Sequence, residues 1–525
     1  MEMKLNSGKW ASCLLLAAAL LCSLFLYARL GIYNLDADLS SEMVLAQTLN
    51  EEHALISRNW FYSTELRVVS PVPIYQLGLM LFSSWHQARL FSVAVLMVLC
   101  ISAFLYAAKK AGVGEEAVYC AACIVLPLSW SSMFLFAWGG FYTVYFILGC
   151  VIFAQVLSLD GKNRKVHGLL VCILSFWAGL AGVRMLMILG VPLLLCFFLL
   201  WLSAAGGQSA HSELRSEKRW LAGAAASFCF MAAGYVVNIR VLSGLFNFRQ
   251  YDRILTESFS LSELLKRFDA LLVYFGYRDG LVLTTVGGAV SYLLIFIVPL
   301  LFVSAAVLLR KKELTAREKT IPLFGLCAVV FVVILDCMAQ GYVAAPTSVG
   351  YYIMGLFFVL LCPFMFISRL DHLPKWVRHA GMCLLVVFFL TDSLCYVRTE
   401  AKGSEGARAK AARWLVENGY TVGYSSFWNG NILTELSDGK LEMITYERWK
   451  GREPQEWLQK RSHLTEVPRG PVFVYTDEEE LGLDPAPCAQ EEKLVYAENG
   501  VRIYRYEDAG EVLRLQREQI QDGSM

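Results

Sequence analysis

The stretch Ile32-Tyr33-Asn34-Leu35-Asp36-Ala37-Asp38-Leu39-Ser40-Ser41-Glu42-Met43-Val44-Leu45-Ala46 follows directly on an apolar run, residues 11–28. A bilayer crossing needs about 20 mostly apolar residues, so that run is a membrane span. Three carboxylates, Asp36, Asp38 and Glu42, therefore stand together where the chain first leaves the bilayer.

Of 525 residues, 57% are hydrophobic and only 17% charged. A soluble domain carries about 25% charged residues. The deficit is confined to residues 1–400, which alternate apolar blocks with short polar stretches; residues 401–525 have ordinary soluble composition. The expected fold is a polytopic α-helical membrane protein. Its spans fall near 11–28, 88–107, 117–137, 141–158, 168–183, 185–203, 220–239, 281–309, 321–342, 350–368 and 379–397, about 11 transmembrane helices in all. Lys4 and Lys9 before the first run resemble a signal peptide, but no small-residue cleavage site follows, so a retained span is expected.

Loop charges give the orientation. With the N-terminus inside, the inner loops carry Lys109, Lys110, Lys162, Arg164, Lys165, Arg215, Lys218, Arg219, Arg310, Lys311, Lys312, Arg369, Lys375 and Arg378. The short outer turns carry only Arg184. Basic residues concentrate on the cytoplasmic side of membrane proteins. The expected layout is a transmembrane domain, residues 1–399, with outer loops 29–87 and 240–280, and an extracytoplasmic α/β domain, residues 400–525. Residues 71–85 are too short to span and are expected at the outer interface.

Some functions are excluded. A net charge of +1 with no basic stripe gives no nucleic-acid partner. Fourteen of the 15 Cys lie in or beside apolar runs, leaving Cys488 alone in the tail. The seven His never approach a metal-binding spacing.

In the first outer loop, Leu39, Met43, Ala46 and Leu49 recur at helical spacing, so a surface helix is expected over residues 39–53 with Asp38 at its N-cap. Spacing alone leaves two roles open for Asp38. Asp is a good cap. A carboxylate at the bilayer surface is also placed to take a proton from a hydroxyl that attacks a lipid-linked group.

The apolar first span, the acidic first loop with Leu35-Asp36-Ala37-Asp38, and the helix after it resemble the GT-C superfamily of membrane glycosyltransferases, of the protein O-mannosyltransferase and aminoarabinose-transferase kind. The motif here is Asp-x-Asp with Glu42 a turn later, where the family carries an adjacent acidic pair. The resemblance implies a catalytic Asp38 with Asp36 beside it. It also implies a polyprenyl-phosphate sugar donor, transfer at the plasma membrane's outer face, and an envelope glycan, lipid or protein as acceptor. Some members bind a divalent cation at this acid, so Asp36 and Asp38 are candidate ligands for Mg or Mn. A flippase for a lipid-linked saccharide and a non-catalytic envelope scaffold are the alternatives. No internal repeat favours the flippase.

Further candidates come from charge placement. Arg184, in a tight outer turn, suits a donor phosphate, and snorkelling would place it there too. Glu42, Arg58 and Arg67 are candidate substrate contacts, with Trp60 and Tyr62 among them as possible sugar platforms. Asp336 and Asp392 lie in spans, where acids are expensive. Residues 261–275 read as an amphipathic helix. In the tail, a helix (404–418), strands (421–427, 441–446, 471–475), a hairpin (494–506) and a frayed helical end (509–525) are expected. Tyr424–Asn431 reads as a strand-end loop with aromatics and amides, suited to a glycan acceptor.

Overall fold

Hydrocarbon offers backbone N–H and C=O groups no partner, so apolar runs of this length fold as helices. The computed structural model describes every residue except 1–6, 207–210, 249–259, 339–348, 401–405, 448, 450–452, 484–485 and 522–525. In chain order its main helices are α1 (Ser7–Leu30), α2 (Ala37–Glu51), α3 (Val72–Leu81), α4 (Trp85–Lys110), α5 (Glu115–Ile124), α6 (Phe141–Leu157) and α7 (Arg164–Gly179). There follow α8 (Val191–Gly206), α9 (His211–Val237), α10 (Leu261–Tyr274), α11 (Val286–Arg310), α12 (Ala316–Met338), α13 (Ile353–Ser368) and α14 (Lys375–Glu400). The C-terminal part runs α15 (Ala407–Glu417), β1 (Val422–Ser426), α16 (Phe427–Leu436), β2 (Glu442–Tyr446), β3 (Val472–Asp477), β4 (Leu494–Glu498), β5 (Val501–Tyr506) and α17 (Ala509–Gln521).

Among the described residues, eight helices are long and apolar enough to cross a membrane, and the chain is a multi-pass membrane protein. The other three expected spans are helical but short or broken. Helix α5 ends before Pro127, which has no N–H to continue it, and a widened turn follows at Met133–Trp138. Helices α7 and α13 have 16 residues each. That is about 24 Å at 1.5 Å per residue, under the ~30 Å hydrocarbon core.

The chain forms two compact units: residues 1–27, 93–241 and 252–401, and residues 28–92, 242–251 and 402–525. In the first unit, α7 and α9 cross with backbones almost touching. A Cβ on Gly179 would lie 2.1 Å from the Met231 carbonyl oxygen, and one on Gly234 2.1 Å from that of Phe176. Small residues let helices approach in this way without a hydrophobic drive between them. The amphipathic helix α10 is tied down by charge. Arg267 Nε lies 2.9 Å from the Asp336 carboxylate, which also accepts from the Tyr352 hydroxyl at 2.6 Å. Just after α10, Arg278 Nη2 donates to Asp392 at 2.7 Å. Asp336 and Asp392 are thus anchors for α10 and the segment that follows it. The Gln340 and Tyr342 positions beside Asp336 lie outside the described residues.

The second unit holds residues 28–92 and 242–251 together with the C-terminal residues 402–525. Its five-stranded sheet has the order β2-β1-β3-β5-β4. β1 runs parallel to β2 and β3, and β5 antiparallel to β3 and β4. Alternate residues face opposite sides. Tyr424, Ile444, Val474 and Tyr504 join Ala509 and Val512 of α17 on one face. Met443, Phe473, Tyr475 and Ile503 join Leu415 of α15 and Leu433 of α16 on the other.

Two expectations are corrected here. Over Ala509–Gln521 the tail is a packed helix, with Ala509, Val512 and Gln516 buried, because its apolar side closes the sheet. Tyr424–Asn431 is the β1–α16 junction and not an open loop. Tyr424 and Phe427 are buried, Asn429 bonds Asp477 and Glu480, and Asn431 bonds the Leu458 carbonyl, so the amides serve the fold.

Candidate functional site

The acidic loop folds as α2, beginning at Ala37. The N-cap is Asp36, not Asp38 as the sequence led us to expect. Its backbone is extended (φ −131°, ψ 156°), and its Oδ1 accepts the Asp38 N–H at 2.8 Å. Either Asp could cap. The extended Leu35–Asp36 backbone decides it, because a cap must have non-helical φ and ψ. Asp38 is left in the first turn with an exposed side chain. Close packing around Asp36 pushes its carboxyl up to about 6, and the neighbouring Asp38 charge adds to this against the backbone N–H groups that lower it.

One turn on, Glu42 is buried, at 3% exposure. Its Oε1 lies 3.5 Å from Arg67 Nε, and among the described residues neither of its oxygens accepts a hydrogen bond. Burial pushes Glu42 up to about 7 despite the nearby Arg67 and Arg89 charges. Arg67 also faces Glu65, at 3.4 Å. The structure therefore brings Asp36, Asp38, Glu42 and Arg67 into one neighbourhood. It leaves Arg58 out: that side chain is exposed, and its carbonyl accepts from the Asn247 amide at 3.1 Å. Trp60 and Tyr62 are buried in the core beneath α2, so they are not open sugar platforms.

What holds α2 in place is a residue the sequence reading passed over. Arg89 lies near the start of α4 and is fully buried. Its Nε and Nη2 donate to Glu435 at 2.5 and 2.7 Å. Nη2 also donates to the Leu39 carbonyl at 3.2 Å, and Nη1 to the Tyr75 hydroxyl at 3.3 Å. Leu39 is the residue after Asp38, so one guanidinium ties the acid-bearing turn to α16. A second tie is the Trp85 N–H, which donates to Asp438 at 2.7 Å. The available signal was an arginine at the head of an apolar run, which is costly unless paired.

Arg184 belongs to the helical bundle. Its guanidinium carbon sits over the rings of Phe141 (5.2 Å), Tyr351 (5.7 Å) and Tyr145 (6.0 Å), and Nη1 donates to the Tyr145 hydroxyl at 3.4 Å. This is a cation held by aromatic faces, with its planar fork pre-oriented.

No family model and no curated protein sequence matches the chain. Solved structures do. ArnT from Cupriavidus metallidurans in the apo state superposes with a TM-score of 0.59 at 12% identity, covering 95% of this chain and 98% of that one. The same ArnT bound to undecaprenyl phosphate gives 0.54 at 12% identity, covering 94% and 97%. The chain has the GT-C fold. A looser match is the apo oligosaccharyltransferase of Archaeoglobus fulgidus, with a TM-score of 0.49, 11% identity and coverage of 89% and 70%.

Within the GT-C fold, the candidate cation ligands form only a pair. Among the described residues no group of three or more His, Cys, Asp or Glu is placed to hold a metal. Asp36 and Asp38 suit a hard cation that takes its remaining oxygens from water and a substrate phosphate, as Mg does.

Proposed function

We propose that this GT-C protein transfers a sugar from a polyprenyl-phosphate donor to an envelope acceptor on the outer face of the membrane, with Asp38 as general base. The observation that carries the reading is Asp38 itself: an exposed carboxylate in the first turn of α2, beside the N-cap Asp36 and held in register through Leu39 and Arg89. The likeness to ArnT bound to undecaprenyl phosphate supports the donor class. The charge bias of the loops supports the outer face.

In this reading the acceptor hydroxyl attacks the anomeric carbon of the donor sugar. The bond from that carbon to the phosphate oxygen breaks, and polyprenyl phosphate leaves with the electron pair. Asp38 takes the hydroxyl proton as the new bond forms, a role that contributes roughly 10²–10⁴-fold. Arg184 pairs with the donor phosphate through its planar fork. Glu42 and Arg67 orient polar groups beside Asp38. A cation at Asp36 and Asp38, if bound, would neutralise phosphate charge.

The test is comparative glycan analysis of envelopes with and without the protein, followed by transfer in membranes from the matching undecaprenyl-phosphate sugar. Loss of one sugar substituent, restored by the wild-type chain, is the expected result. Unchanged envelope glycans together with impaired movement of a lipid-linked saccharide across the membrane would favour the flippase instead.

A further inference from the structure

At the end of the helical bundle where α11 and α13 stop, a cavity of about 550 Å³ opens. Arg310, Lys311, Lys312 and Arg369 line it, with Glu313 and Asp371 as its acids. The acids do not neutralise it. Asp371 is taken by Arg378, at 2.9 Å, outside the lining. Arg369 is engaged by Glu318 and lies 3.9 Å from Glu116. Three cations then face one acid. Among the described residues Arg310 and Lys312 have no ion-pair partner, and both are exposed. Lys311 is held in position, its Nζ donating to the Arg369 carbonyl at 3.3 Å and lying 5.2 Å from the centre of the Phe366 ring.

Basic residues at span ends are ordinary in membrane proteins. What that tendency does not supply is convergence: here Arg310, Lys311, Lys312 and Arg369 line one open groove. The charge left over calls for an anion with several acceptor oxygens, which is phosphate chemistry. Location selects among phosphates. The groove lies where the apolar helix α11 ends at Arg310, and Val307 and Leu314 are its apolar lining. A soluble phosphate has no use for that lining; a glycerophospholipid does. Basic pockets between transmembrane helices hold anionic lipid headgroups for the same reason.

We propose that this cavity is a binding site for the headgroup of an anionic phospholipid, with Arg310 and Lys312 as its phosphate contacts. It is separate from Asp38 and does not rest on the transfer reaction.

The test uses the full-length purified protein in detergent with equimolar phosphatidylglycerol and phosphatidylcholine, with retained lipid counted by native mass spectrometry. The expected result is preferential retention of phosphatidylglycerol. The Arg310→Ala/Lys312→Ala variant should lose that preference, by roughly five-fold per cation removed. The charge-preserving Arg310→Lys/Lys312→Arg variant should keep it. Equal thermal unfolding of the variants shows that the loss is not misfolding. Two results would overturn the proposal. One is a preference that survives in the double alanine variant, as loosely associated boundary lipid would give. The other is displacement of phosphatidylglycerol by millimolar inorganic pyrophosphate, which would make the site one for a free phosphate.

Discussion

Glu435 grips Arg89 across 346 residues of chain, through two hydrogen bonds of 2.5 and 2.7 Å, and neither side chain is more than 4% exposed. The same arginine bonds the Leu39 carbonyl. The C-terminal domain is therefore part of what positions the acidic turn. Removing one partner of a buried pair strands the other charge and costs about 3–5 kcal/mol, whereas replacing both with apolar residues of similar volume is far milder. Glu435→Gln should lower the unfolding temperature of the purified protein clearly, and Arg89→Met/Glu435→Leu should recover most of it. An unchanged unfolding temperature in Glu435→Gln would show that the pair contributes nothing.

Glu42 gives a pH prediction. Its folded value is about 7, against about 4.3 for an unfolded Glu. An acid whose pKa is raised by folding binds its proton more tightly in the folded state. Its contribution therefore favours the fold below pH ~4.3, declines as pH rises to about 7, and stays at its low value above that. Glu42→Gln removes the decline, an effect of at most roughly 4 kcal/mol from the shift alone. Denaturant unfolding at pH 5 and pH 8 should differ less in the variant than in the wild type. Asp36, also raised, leaves a smaller slope behind. An identical pH 5-to-pH 8 difference in both proteins would contradict the account.

Much of this was legible in the sequence because it is local. Apolar runs predict helices, and the period of Leu39, Met43, Ala46 and Leu49 locates α2 to within two residues at each end. The Asn499-Gly500 turn predicts the β4–β5 hairpin, and both residues take positive φ there. What failed was set by distant partners. Helix α16 contains Asn429-Gly430, which reads as a turn; the helix forms because Asn429 and Asn431 find partners at Asp477, Glu480 and Leu458. Arg89 looked like the edge of a span, and its role appears only once Glu435 is beside it. The choice of Asp36 over Asp38 as cap rests on two backbone angles that composition does not encode.

Arg184 sits over three aromatic rings. If it holds the donor phosphate, Arg184→Lys keeps the charge but loses the fork, so use of the undecaprenyl-phosphate donor should weaken, with Arg184→Ala worse. Donor titration of transfer in membranes is the measurement. A donor dependence unchanged in both variants would return Arg184 to a ring-packed anchor.

Orientation is open to a thiol test, but not at the native tail cysteine. Cys488 is fully buried. In a background with the other cysteines replaced, Lys440→Cys, at an exposed position, should react on intact cells with a membrane-impermeant maleimide. Lys162→Cys, also exposed, should react only after lysis. The reverse pattern would invert the topology.

The sharpest test is the rate of sugar transfer by purified Asp38→Asn from the undecaprenyl-phosphate donor identified by glycan comparison. Asp36 carries the cap, so folding and membrane level should match the wild type. Asp36→Asn is the control: it keeps a side chain that caps about as well, and its effect should be smaller. With the base removed, Asp38→Asn transfer should fall by roughly 10²–10⁴-fold, with no recovery on adding Mg or Mn. Transfer by folded Asp38→Asn at the wild-type rate would contradict the account and leave Asp38 a surface charge in the first turn of α2.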